Sequence, residues 1–344
     1  MQFMADEQYH IEQEPDKSQR YSYWQAAKGL QDVDGLKTSA YLDKVAADNV
    51  AGKISAYKAK DLIDSYYDVK EDRERDSLEE EADKVASRIN ILIGEIGFSL
   101  SVEELKSIHG RLFEGIFEHA GSFRKNNILK HEWVLDGDSV TYGNAFNLES
   151  SVETLLRAEK LTPFRSLTEE ETVWHLAKFI SELWRLHPFA EGNTRTTAVF
   201  AIKYFRTLGF DVDNSVFEKN SRFFRDALVR ANYANIRKGI YEDRDPLDDF
   251  FSDLLLGTKH VFHSRNLHIY ADNAALDTVG LDAKILEMIR ANRHITRSEM
   301  ARTLGVSVKT IERHLKNLPV HFSGPAKAGE WVIIEENNGR NQPS

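Results

Sequence analysis

The sequence predicts a mainly α protein, and three observations carry that expectation. Apolar residues recur at helical spacing along most of the chain, capping signals stand ahead of several of those stretches, and β signals are confined to two short segments, 131–142 and 320–334. A first helical segment runs from about Tyr21 to Tyr67 and ends in the charge-dense run 70–76, which reads as a linker or a solvated helix face. Helical pattern returns over 78–98. Thr168 and Glu171 then form a capping box ahead of Val173, Leu176, Ile180 and Leu183, and Pro188 disfavours α conformation at His187 and so ends that helix. The next helix starts near Asn193, with Val199, Ile202, Phe205 and Leu208 on its buried side.

Between these helices, residues 131–135 and 139–142 read as the two strands of a hairpin joined through an Asp136-Gly137 turn signal. After a break near 272–280 a three-helix pattern follows. Residues 281–286 begin one helix, Thr296 and Glu299 box-cap a second, Gly305 turns the chain, and Ser307 caps a third that carries Val308, Ile311 and Leu315 inward. Lys309, Arg313 and Lys316 then point largely outward, and 320–322 and 331–334 flank a Gly/Pro loop as two strands. The segment resembles winged helix-turn-helix modules, which implies duplex DNA as a candidate partner for residues 273–344 and leaves a protein-docking role open.

At 344 residues, 41% hydrophobic and 29% charged, the chain can build two or three cores. Its net charge of −10 argues against wholesale nucleic-acid binding and leaves only local basic surfaces. The absence of cysteine excludes disulfides, thiolate metal sites and a Cys nucleophile. No apolar run approaches membrane-spanning length and residues 1–14 lack the basic and apolar regions of a secretory signal, so the expected location is cytoplasmic, with no membrane partner. His260, His263 and His268 have no carboxylate or thiolate in metal-ligand spacing and read as surface or packing residues.

The chemistry concentrates in His187-Pro188-Phe189-Ala190-Glu191-Gly192-Asn193-Thr194-Arg195. An imidazole of near-neutral pKa in a solvent-open loop can take a proton from an incoming hydroxyl. Glu191 supplies a hard carboxylate of the kind that holds Mg²⁺ with substrate phosphates and water. The Gly192, Asn193 and Thr194 amides lie free at a helix N-terminus, which binds phosphate through unpaired N–H groups, and Arg195 one turn on can fork onto a phosphate oxygen. Phe189 anchors the loop in the core. A base, a metal ligand and a phosphate cradle together point to nucleotidyl transfer.

This string resembles the motif of the Fic family, His-Pro-Phe-x-Glu/Asp-Gly-Asn-Gly-Arg followed three residues later by a second Arg. The resemblance implies a Fic-type helical core with a β-hairpin flap, AMP transfer from ATP with Mg²⁺, His187 as catalytic base, Glu191 as metal ligand, and Gly192, Asn193, Thr194 and Arg195 as the nucleotide-binding turn. Thr194 stands where the family has Gly, and Ala198 where it has the second Arg. Residues 116–130 resemble the stretch leading into the family's flap, so the 131–142 hairpin is expected to dock the Ser, Thr or Tyr hydroxyl of a target protein, the chain itself included, by adding a strand.

Residues 30–35 resemble the inhibitory Ser/Thr-x-x-x-Glu-Gly of the small antitoxin-like module found with many Fic proteins, with Leu30 in place of Ser/Thr and Asp34, followed by Gly35, in place of Glu. With no Arg at 198, the family's salt bridge has no partner. Either Asp34 reaches Arg195, or the segment no longer inhibits, which the shorter acid favours. The expected organisation is 1–70 regulatory helices, 71–272 Fic-like catalytic domain and 273–344 winged helix. Transfer of another phosphate-containing group, removal of AMP, and a DNA-binding regulator with a degenerate core stay open beside AMP transfer.

Overall fold

The chain folds as helices packed on helices, as its periodicity predicts. The computed structural model describes residues 14–69, 77–269, 282–304, 308–316, 318–324 and 329–333, and the chain divides into two units, Met1–His268 and Ile269–Ser344. The 70–76 and 272–280 linkers expected from the sequence lie outside the described residues.

In the first unit, α1 (Lys17–Gly29) starts at an Asp16–Gln19 capping box and runs into a 3₁₀ turn, Leu30–Asp34, which Gly35 ends in left-handed conformation at φ 72°. Helices α2 (Ala40–Val50), α3 (Ala56–Asp68) and α4 (Ser77–Gly94) follow. Buried Asp83 of α4 accepts from the Ser39 hydroxyl (2.5 Å), the Ser39 amide (2.9 Å) and the Tyr67 hydroxyl (2.8 Å), and so ties α2 and α3 to α4. α1 packs on α4 and on α9 (Ser215–Ala231), and at Gly29 the backbones are so close that a Cβ would lie 2.5 Å from Glu218 Cα.

Helices α5 (Val102–Phe113), α6 (Leu148–Lys160), α7 (Glu169–Leu186), α8 (Asn193–Thr207) and α10 (Asp245–Leu256) complete this unit. The Thr168–Glu171 capping box forms as expected. Helical spacing predicts one buried side for α8, yet every residue from Asn193 to Phe205 is buried. α4, α5 and α7 all pack on α8, which makes it the centre of the unit and leaves it no solvent face.

The hairpin expected at 131–142 is a correction. The Asp-Gly turn forms, with positive φ at Asp136 (55°) and Gly137 (83°), and the Glu132 amide donates to the Asp138 carbonyl (2.9 Å). The flanking strands do not form among the described residues; Trp133–Leu135 is a 3₁₀ turn instead. Adjacent Val134 and Leu135 are both fully buried, which a hairpin strand with one face in solvent cannot achieve because its consecutive side chains alternate between faces, whereas the 3₁₀ turn buries both.

The second unit contains a helix over 282–291, here α11, then α12 (Arg297–Leu304), α13 (Val308–Leu315), β1 (Val320–Ser323) and β2 (Glu330–Ile333). The strands pair antiparallel, with Val320 opposite Ile333 and Phe322 opposite Trp331. Ile285, Ile289, Met300, Ile311, Leu315 and Trp331 form its core. Thr296 and Glu299 exchange capping bonds, and the Trp331 indole donates to the Ile295 carbonyl (2.9 Å), which pins β2 to the turn before α12. Lys316 is exposed, whereas Gly305, Ser307 and the 325–328 loop lie outside the described residues.

Candidate active site

The α7 helix ends at His187, which takes the left-handed conformation (φ 49°, ψ 58°) because the ring of Pro188 crowds the α region there. The bend turns the imidazole inward. Nδ1 lies 3.3 Å from the Trp184 carbonyl, which can only accept, so Nδ1 carries the proton and Nε2 keeps its lone pair. Tyr142 faces the ring at 4.3 Å between centroids, and Trp184 meets it edge-on at 5.2 Å. The expected solvent-open loop and near-neutral pKa are both overturned. His187 is 5% exposed, and burial, with Lys130 and the Trp184 carbonyl as smaller opposed influences, pushes its pKa down to about 3.

Two residues that the sequence reading left without a role hold this loop. Arg124 is buried and donates through Nε to the His187 carbonyl (2.7 Å), through one terminal nitrogen to Asn126 (2.7 Å), and through the other to the Gly143 and Leu186 carbonyls. Its amide adds a bond to the Pro188 carbonyl (2.8 Å). His109 of α5 accepts the Gly121 amide at Nδ1 (2.8 Å), so its proton is on Nε2, where it meets the Glu191 carbonyl (3.1 Å). Phe189, 1% exposed, stacks on the His109 ring at 3.8 Å and 10°, and burial pushes the His109 pKa down to about 4. His109 continues the apolar stripe Leu105–Leu112, where a lone polar ring could have signalled a buried hydrogen bond in the sequence.

At the start of α8, Gly192 has φ 72°, and a Cβ there would lie 2.4 Å from the Phe113 ring. No side chain caps this N-terminus. Asn193 instead clasps the loop, accepting from the Phe189 amide (2.9 Å) and donating to the Phe189 carbonyl (2.8 Å). Thr194 turns its hydroxyl into the core to accept from the Trp184 indole (3.0 Å), so its side chain leaves the space in front of the turn clear. The Glu191 side chain is exposed and has no hydrogen bond or ion pair among the described residues, which suits a hard-cation ligand.

Arg195, expected to fork onto phosphate, is turned elsewhere. It is 2% exposed, with Nη2 on Glu81 (2.6 Å), Nη1 on the side-chain amide oxygen of Gln31 (3.2 Å) and Nε 3.0 Å from Asp34. The Nε–H is not aligned on an acceptor, so Asp34 contributes charge without a directed hydrogen bond. Thus Asp34 does reach Arg195, the first of the two arrangements the sequence left open, and Gly35 allows it by ending the 3₁₀ turn there. A cleft of about 300 Å³ opens beside these groups, lined by Val33, Asp34, Lys130, Trp133, Arg222 and Arg225.

His260 is turned onto Asp253 (2.7 Å) and His268 lies against Trp133 (5.6 Å). Among the described residues no three or more His, Asp or Glu gather as metal ligands.

Residues 99–205 match the Fic/DOC family model, and residues 280–318 a winged helix-turn-helix DNA-binding model. Protein adenylyltransferase VbhT of Bartonella schoenbuchensis is 30% identical over 144 residues, 41% of this chain and 28% of that protein. Probable protein adenylyltransferase y4lH of Sinorhizobium fredii is 27% identical over 135 residues, 38% of this chain and 65% of that protein. The chain therefore spans less than two thirds of either relative. A crystal structure of a Fic family protein from Desulfovibrio desulfuricans aligns with a TM-score of 0.45 at 14% identity, covering 94% of this chain and 88% of that one.

Proposed function

We propose that this chain, whose residues 99–205 match the Fic/DOC family model, transfers AMP from Mg-ATP to a Ser, Thr or Tyr hydroxyl of a target protein, itself being one candidate. The observation that carries the reading is His187, buried with Nδ1 against the Trp184 carbonyl so that Nε2 is the nitrogen left to take a proton, at one end of a short loop whose other end is the uncapped N-terminus of α8. Nε2 takes the hydroxyl proton as the oxygen bonds to the α-phosphorus. The bond from that phosphorus to the bridging oxygen of the β-phosphate breaks, and pyrophosphate leaves. The amides at the start of α8 hold the phosphates and stabilise the charge that develops. Glu191 would hold Mg²⁺, which would supply charge neutralisation to the phosphates. Arg195 joins the phosphate site when Asp34, Glu81 and Gln31 release it, and this makes residues 1–70 a regulatory segment on a catalytic domain of 71–272.

Incubating the protein with α-labelled ATP and a native lysate tests the reading. Wild type labels a discrete target, His187→Ala labels none, and Glu191→Ala loses labelling in a way that excess Mg²⁺ partly restores. Undiminished labelling by His187→Ala overturns the mechanism. Intact mass of the captured target separates an adenylyl group from another phosphate-containing group, and release of AMP from a pre-modified target identifies the reverse reaction.

A second activity, DNA binding by 273–344, is favoured by the match over 280–318. Lys309 and Arg313 fall on α13 with exposed Lys316 just beyond it, the arrangement a recognition helix needs to reach a duplex. No helix among the described residues is long and apolar enough to cross a membrane, and the cytoplasm, which supplies ATP and Mg²⁺, is the compartment we assign to the reaction.

A further inference from the structure

Glu132 is a buried acid that the mechanism above does not use. It is 1% exposed, and a carboxylate taken out of water is tolerated only with a close cation and hydrogen bonds. Arg225 of α9 supplies the cation, its Nη2 donating to Oε2 at 2.6 Å, and Asp226 flanks Arg225 on the other side at 3.5 Å. The backbone of Glu132 is the knot of the turn that follows it: its amide donates to Asp138, and its carbonyl accepts from Leu135 (3.1 Å) and Gly137 (3.0 Å). The ion pair thus fastens the whole turn to a long helix. The other Glu132 oxygen accepts a long bond from the Tyr142 hydroxyl (3.4 Å), and the Tyr142 ring is the wall against His187. Gly143, next in the chain, is held by Arg124, which also holds the His187 carbonyl.

We propose that Arg225, Glu132 and Tyr142 form a strut that positions the His187 imidazole, with Tyr142 as the contact and the buried ion pair as its anchor on α9. The inference rests on His187 being the base. All three are positioning residues. The strut fixes the ring so that Nδ1 stays on the Trp184 carbonyl and Nε2 stays available. Without it the ring is left with the 3.3 Å bond to the Trp184 carbonyl and the edge contact of the Trp184 indole, and it can turn.

The test reads the His187 tautomer directly, by long-range ¹H–¹⁵N correlation on full-length histidine-labelled protein, with His187→Gln identifying its signals among the twelve histidines. Wild type shows a single Nδ1–H form. Tyr142→Phe, which keeps the ring but cuts its bond to Glu132, shows both tautomers, and Tyr142→Ala, which removes the ring as well, does the same. Removing one charge alone strands the other in the interior and can unfold the protein, so the anchor is tested with Glu132→Gln/Arg225→Gln, which removes both charges of the pair, and with Arg225→Lys, which keeps both. The double variant shows mixed tautomers and Arg225→Lys restores the wild-type form. A single Nδ1–H tautomer in both folded Tyr142→Ala and folded Glu132→Gln/Arg225→Gln overturns the strut. Mixing in Tyr142→Ala alone overturns the anchor. If Tyr142→Ala or the double variant fails to fold, Tyr142→Phe and Arg225→Lys still decide, since a single Nδ1–H form in Tyr142→Phe, or mixed tautomers in Arg225→Lys, overturns the anchor. On a captured target, transfer by Tyr142→Ala falls on the order of 100-fold while nucleotide binding holds. A wild-type protein with the Nδ1–H form but no transfer to any target defeats the proposed function and leaves the strut standing.

Discussion

His187 shows what burial does to one side chain. An ordinary imidazole titrates near 6.5, whereas here the folded-state pKa is near 3 and that of His109 near 4. The unfolded chain therefore takes up protons first as the pH falls below 6.5, and each residue's stability contribution, complete at neutral pH, drains away from there towards its folded pKa. From pH 7.5 to 5.0 each costs about 2 kcal/mol of stability. Buried Asp83 and Asp226, whose pKa values burial raises, work in the opposite sense, so the comparison is made between variants. In urea denaturation, His187→Ala is expected to lose less stability than wild type over that interval while remaining folded and inactive in transfer. Equal losses in the two proteins would show that His187 is not held neutral by burial. The sequence supplied the residue and its turn, but not the protonation state, which depends on the walls Tyr142 and Trp184 contribute from distant positions.

At the scale of the element, the turn from His187 to Asn193 and the helix behind it form one piece of packing. Gly192 is needed twice, for its positive φ and for the space that the Phe113 ring occupies. Gly192→Ala is predicted to cost roughly 2–5 kcal/mol, the sum of a strained left-handed residue and an overpacked contact. Differential denaturation measures it, and a loss below 1 kcal/mol, on the order expected for a surface change, would mean that the Phe113 contact yields freely. Thr194→Val removes the acceptor of the buried Trp184 indole and is predicted to cost about 1–3 kcal/mol, with Thr194→Ser keeping most of it. The departure from the family's Gly at 194 is thereby explained: the hydroxyl has a structural partner. Caps, the proline stop and the glycine turn were all legible in the sequence because each acts within a few residues. The two strands at 131–142 were misread for a complementary reason, since alternation and a turn signal cannot reveal that Val134 and Leu135 share one interior.

Across the molecule, the N-terminal segment and the catalytic motif meet at Arg195. Asp34 is only one of three groups there, and Glu81 on α4 and Gln31 remain when it is removed. Asp34→Gly is accordingly predicted to raise transfer by no more than about tenfold, equivalent to about 1.4 kcal/mol in the barrier. Asp34→Gly with Glu81→Gln, which frees two sides of the guanidinium, is predicted to raise it further. A hundredfold rise with Asp34→Gly alone would assign the inhibition to that carboxylate and defeat the shared-hold reading. For the second unit, residues 273–344 are predicted to bind genomic duplex fragments with an affinity that falls as salt rises, through Lys309, Arg313 and Lys316, both in isolation and in the full chain. A salt-insensitive complex, or none in either form, would point to protein docking.

What the sequence determined by itself was everything with a short range: helical periodicity, capping boxes at Thr168 and Thr296, the Pro188 stop, the Gly192 turn, two short strands near 320–322 and 331–334, and the nine-residue string that points to nucleotidyl transfer. These follow from steric limits on the backbone and from hydrogen bonds a few residues long, so they are written where they act. The tertiary structure alone decided that α8 is buried all round, that His187 is closed off and neutral, that His109 and Arg124 hold its loop, and that Arg195 is turned onto Asp34 and Glu81. Each of those depends on residues tens of positions apart sharing a volume from which water is excluded. Desolvation and charge pairing are properties of that volume, and no local pattern of residues encodes them.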